Sequence, residues 1–62
     1  MAICGPWTRT GLSQMEAAEV SALYHAADPP PDSVTTTQHD DGTYTVVGVW
    51  PACAPGQQSD EP

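Results

Sequence analysis

An α+β fold is predicted, in which one N-capped helix packs on an antiparallel β-hairpin that the N-terminal segment can widen to three strands. Two observations predict it. Ser13-Gln14-Met15-Glu16 has the form of a capping box ahead of an alanine-rich run. Asp41-Gly42 separates two segments rich in β-branched and aromatic residues, the sequence form of a hairpin.

The elements follow in chain order. Residues 2–7 can supply a short edge strand that Gly5-Pro6 interrupts. At Ser13 the hydroxyl accepts from the N3 amide and Glu16 reaches back to the cap amide, while Glu16 and Glu19 sit where the helix dipole favours negative charge. From Gln14 to Ala27 the chain is rich in helix formers, with Val20, Leu23, Tyr24 and Ala27 on one face and Met15, Ala22 and Ala26 extending it. Ala18, Ser21 and His25 point to the opposite, wetter side. Asp28 followed by Pro29-Pro30-Pro31 stops the helix, because residues preceding proline are pushed out of the α region.

The hairpin strands are Ser33 to His39 and Thr43 to Trp50. With Asp41 and Gly42 as the central residues of a type I′ turn, His39 opposes Tyr44, Thr37 opposes Val46 and Val34 opposes Val49. Alternation then puts Val34, Thr36, Val47 and Val49 on one face and His39, Tyr44, Val46 and Trp50 on the other. One small domain over residues 1–52 and a flexible acidic tail over 53–62 complete the plan.

A chain of 62 residues has room for one domain, and such a chain buries only about 60% of its unfolded surface. A cross-link, a metal or a second copy would therefore help it. Cys4 and Cys53, if bridged, would close a loop of about 50 residues, valued at roughly 4 kcal/mol by chain entropy. With no secretory pattern, two reduced thiols are the expected state. No run approaches the roughly 20 apolar residues of a membrane span, so neither membrane insertion nor export is expected and the cytoplasm of a host cell is the expected location.

Charge says more about partners than about fold. Arg9 is the single Lys or Arg against eight carboxylates, Glu16, Glu19, Asp28, Asp32, Asp40, Asp41, Asp60 and Glu61, for a formal net charge of -7. Direct nucleic-acid binding needs clustered cations and is excluded as an expectation. Whatever the chain meets should be basic.

Candidate chemistry is thin. Cys4, His25, His39 and Cys53 are zinc-type donors, but structural zinc sites bring their ligands in close pairs and these are widely spaced. His39-Asp40-Asp41 beside a turn could serve a nucleophile, yet a catalytic site also needs a pocket and an oxyanion stabiliser. Turn aspartates and capping glutamates have structural reasons to stand where they do. No enzyme, no metal and no cofactor is the expectation.

The aromatic residues Trp7, Tyr24, Tyr44 and Trp50 are large rings for so small a domain, and a hairpin with apolar groups on both faces leaves some of them for a partner. Asp40, Asp41, Tyr44, Trp50, Glu16 and Glu19 are accordingly the predicted partner-binding residues. In size, acidity and helix-plus-hairpin plan the chain resembles the small acidic inhibitors encoded by phages and other mobile elements, anti-CRISPR proteins among them. That resemblance implies a non-enzymatic inhibitor that occupies a basic, nucleic-acid-binding surface of a larger protein or ribonucleoprotein. Asp41-Gly42-Thr43-Tyr44-Thr45-Val46-Val47-Gly48 with the preceding helix is similar, more weakly, to half of a peptidoglycan-binding SPOR repeat. The other expectation is a structural subunit that forms a homo-oligomer by pairing through a hairpin face.

Overall fold

The computed structural model describes residues 3–62. Its elements are β1 (Pro6–Leu12), α1 (Gln14–His25), β2 (Ser33–Gln38) and β3 (Tyr44–Val49). The three strands form one sheet in the order β1-β3-β2, and both neighbouring pairs are antiparallel. It follows that β1 and β2 run parallel with β3 between them, and α1 makes the crossover of a βαβ unit split by β3. The fold is α+β, with the helix on one face of a three-stranded sheet.

The third strand is present but displaced from the expected one. It begins at Pro6, where an interruption was expected, because an edge strand can open on a residue that donates no hydrogen bond. Ile3 and Cys4 precede it as buried residues without strand geometry, and residue 2 lies outside the described residues. Main-chain bonds from Gly5 N to Pro51 O (2.8 Å) and from Trp50 N to Gly5 O (3.3 Å) fasten this start to the end of β3. Near its other end β1 bulges between Arg9 and Leu12.

The hairpin register is one residue from the expected one. Gln38 pairs with Tyr44, Thr36 with Val46 and Val34 with Gly48. His39 N donates to Thr43 O (2.8 Å) and Gly42 N to His39 O (3.1 Å), so the loop is Asp40-Asp41-Gly42, a turn closed by a glycine in the left-handed region at φ 86. This three-residue loop is the common alternative to the two-residue one. The shift regroups the faces: Val34, Thr36, Tyr44, Val46 and Gly48 look toward α1, and Thr35, Thr37, Thr45, Val47 and Val49 look away from it.

Ser13 caps α1 as its sequence foretells, with Glu16 N donating to Ser13 Oγ and Ser13 N to Glu16 Oε1, both at 3.2 Å. The helix ends at His25 with Ala26 as its cap, short of the expected Ala27; its stripe toward the sheet is Ala17, Val20 and Tyr24, and Ala27 packs on the core just beyond the cap. Leu23 is half exposed and Met15 largely exposed, contrary to the expected face, because the sheet is narrow and cannot cover the whole apolar arc. Ile3, Ala17, Tyr24, Val46 and Trp50 form the core. Trp50 stands edge-on to Tyr24 with ring centroids 5.4 Å apart, and its Nε1 donates to Pro29 O at 2.8 Å.

The thiols are not free: Cys4 and Cys53 are joined by a disulfide, with Cα atoms 5.0 Å apart. Reduced thiols were expected from the lack of a secretory pattern, which is a statement about compartment. Geometry argues the other way, since the bonds between Gly5 and residues 50 and 51 bring the two cysteines together. The segment from 53 to 62, expected as a flexible tail, has no regular secondary structure. It returns along the N-terminal part of the chain, where Ser59 Oγ accepts from Cys4 N (3.1 Å) and Trp7 Nε1 (2.8 Å) and Glu61 pairs with Arg9.

Candidate functional site

Topology gathers four of the six predicted binding residues at one end of the molecule. Leu12 pairs with Tyr44 at the end of the sheet where the β2–β3 loop turns, and only the cap residue Ser13 separates Leu12 from α1. Glu16, Asp40, Asp41 and Tyr44 therefore share that end, and Glu19 lies three residues further along α1. Glu16, Glu19, Asp40 and Asp41 are all exposed.

Asp41 is the best organised of them. Its Oδ1 accepts from Thr43 Oγ1 (2.6 Å) and Thr43 N (3.0 Å), an Asx turn that fixes the loop. The hydroxyl donor, then the amide, and more weakly the charge of His39, hold its carboxyl below the ordinary value of 3.8. It is anionic throughout the physiological range. His39 is engaged as well, through a 2.6 Å contact between Nε2 and Thr45 Oγ1.

The remaining aromatic prediction divides. Tyr44 is half-buried and lines an open, mainly apolar groove of about 490 Å³ together with Thr36 on β2 and Gln14, Ala17, Ala18, Ser21, Ala22 and His25 on α1. Trp50 is 2% exposed, with its indole spent on Tyr24 and Pro29, so the expected anchor is part of the core. The sequence sets Trp50 on one hairpin face with Tyr44 and Val46 and leaves open which face meets the helix; the structure turns that face toward α1. Ala18, Ser21 and His25 were read only as the wetter side of the helix. Their role as a groove wall depends on how far α1 overhangs β2, which the helical period alone does not express.

The zinc-type donors do not converge. Cys4 and Cys53 are bonded to each other, and among the described residues no group of three or more His, Cys, Asp or Glu side chains is placed to hold a metal ion. Among the described residues no helix is long and apolar enough to cross a membrane. Among the described residues the one ion pair is Arg9 with Glu61, so every other carboxylate lacks a cationic partner there. Comparison with protein-family models, with curated proteins and with solved structures returns no match.

Proposed function

We propose that the protein is a non-enzymatic acidic binding module whose Glu16, Asp40 and Asp41 end docks on a basic surface of a larger protein or ribonucleoprotein and thereby obstructs it. The observation that carries this reading is the uncompensated charge. Eight carboxylates face a single arginine that is already committed to Glu61, for a formal net charge of -7. Unpaired carboxylates on a small rigid body speed encounter with a cationic surface and repel acidic competitors. An inhibitor of nucleic-acid binding, of the kind the anti-CRISPR proteins represent, would use charge in this way.

Such a target lies in the host cytoplasm. The Cys4–Cys53 bond supports instead a partner met under oxidising conditions, since disulfides are rare in reducing compartments. Capture of a partner with and without reductant separates the two locations. The function itself is tested by association kinetics with the captured partner. Rising salt should slow association more than it speeds dissociation, because screening acts on the long-range encounter. Exchanging Asp40 for Asn and Asp41 for Ser should reproduce part of that loss while keeping residues that suit the turn. An association rate indifferent to salt would remove the reading.

A homo-oligomer remains the second reading, and one observation favours it. The face of the sheet away from α1, with Thr35, Thr37, Thr45, Val47 and Val49, has no layer over it among the described residues. A stable dimer in sedimentation at low concentration would support it.

A further inference from the structure

The two edges of the sheet are built differently. The β1 edge opens on Pro6, bulges between Arg9 and Leu12, carries Arg9 and has Ser59 and Glu61 from the C-terminal segment bonded to Trp7 and Arg9. These are devices that keep a strand from pairing further. The β2 edge has none of them. Ser33-Val34-Thr35-Thr36-Thr37-Gln38 is rich in β-branched residues, contains no proline or charge, keeps an unbroken register with β3, and has no strand beside it among the described residues.

Its hydrogen-bonding groups can be assigned. His39 N donates to Thr43 O, so His39 and Thr43 form a hydrogen-bonded pair. Alternation then turns the N–H and C=O of Thr37, Thr35 and Ser33 toward β3, and those of Val34, Thr36 and Gln38 outward. The side chains of those same three residues face α1, where the groove runs between Ala18, Ser21, Ala22 and His25 on one wall and Thr36 and Tyr44 on the other. A strand paired with β2 would thus direct alternate side chains into that groove.

Charge selects the occupant. Asp32 precedes the strand, and Asp40 and Asp41 follow it. A second copy docked antiparallel on the same edge would bring the Asp32 of each chain toward the Asp40-Asp41 of the other, a like-charge contact that opposes pairing. An extended segment with Lys or Arg at both ends meets attraction at both.

We propose that the free β2 edge and the α1–β2 groove receive an extended, basic segment of a partner protein, which adds to the sheet as a fourth strand. This rests on the reading of the chain as an acidic binding module and names the way it grips. Main-chain bonds to Val34, Thr36 and Gln38 supply affinity, the small residues of α1 admit side chains of modest size, and the flanking aspartates fix the register.

The probe is a synthetic peptide of alternating Val and Ala flanked by two Lys at each end, added to the oxidised full-length chain. Its binding should slow amide exchange at Val34, Thr36 and Gln38 and shift the resonances of Ala18, Ser21, Ala22 and His25. Methylating alternate peptide nitrogens leaves the charge and removes ladder donors, and should weaken binding by about tenfold. Thr36→Pro removes an outward donor from the protein and should do the same; the methylated peptide tests the complementary bonds, from peptide N–H to protein carbonyl, on the unaltered chain if that variant folds poorly. Equal binding of both peptides, still sensitive to salt, would overturn strand addition while leaving the acidic-surface reading intact. Slowed exchange at the three amides with no salt dependence would support strand addition and remove the electrostatic reading. Failure to bind at low salt, or protection of the three amides by self-association without peptide, would overturn the proposal.

Discussion

Tyr24 lies directly against the backbone of Gly48. A Cβ placed on Gly48 would stand 2.7 Å from Cδ2 of Tyr24 and 2.5 Å from Cζ3 of Trp50. Both rings are buried and neither can swing away, so even a methyl group must push α1 from the sheet. Gly48→Ala should therefore destabilise the fold by about 1–3 kcal/mol, the usual range for overpacking. Chemical denaturation measures it, and an unchanged midpoint would show that the helix can ride outward freely.

The hydroxyl of Tyr24 is buried and has no hydrogen-bond partner among the described residues. Tyr24→Phe deletes a group that is desolvated without compensation and keeps the ring. Stability should hold or rise by about 1 kcal/mol. A marked loss would reveal a bond to that hydroxyl.

Trp50→Ala should cost about 3–5 kcal/mol, since it removes the largest core ring and leaves a cavity beside Tyr24. Any loss of partner binding should then appear as a smaller active fraction with unchanged affinity per folded molecule. Stoichiometric titration with the partner distinguishes this from the faster dissociation that an interface anchor would give.

Asp41 titrates below its ordinary value because Thr43 donates to it twice. A carboxyl whose value is lowered by folding stabilises the native state above its unfolded value, and that support is lost as pH falls through the folded one. Thr43→Val removes the hydroxyl donor, so the Asp41 midpoint should climb toward 3.8. Carbon-detected titration of the carboxyl reads the change, and a midpoint that does not move would mean that the hydroxyl contributes nothing.

Reduction of Cys4–Cys53 frees a loop with a sequence separation of 49. The chain-entropy relation makes the expected loss about 4 kcal/mol. Thermal melts with and without reductant, repeated on the double Ser variant, give the value.

What could be read in advance was local. Ser13 and Glu16 announce the helix start because both bonds of the capping box join residues three apart, and Pro29 to Pro31 announce its end. Asp41-Gly42 announces a hairpin, but the dipeptide fits both a two-residue loop and the last two places of a three-residue one. The pairing sets which residues share a face, but not which face the helix covers, and it is the helix that makes Trp50 a core residue rather than an anchor. β1 was legible only as a possibility, because its partner is β3, far along the chain, and Trp7 and Arg9 gain their half-buried places only once Val46 and Gly48 lie beside them. The disulfide, the groove and the bare edge of β2 all arise from such distant meetings. The acidic character of the hairpin end needed no structure, since Asp40 and Asp41 must stand where the turn stands.

The split crossover has a consequence for the order in which the molecule can assemble. β3 is the last strand to be synthesised and the only neighbour of both others, so a chain that ends before Tyr44 has two strands that cannot pair with each other. The β2–β3 hairpin closes a short loop, whereas pairing Pro6 with Val49 closes the whole stretch from residue 6 to residue 49 and pays the larger entropy. That second closure, with Gly5 bonded to residues 50 and 51, is what holds Cys4 and Cys53 side by side. Oxidation is thus a seal set on a finished sheet rather than a template for it, and the kinetics of thiol loss during refolding should follow β1 docking and never precede it.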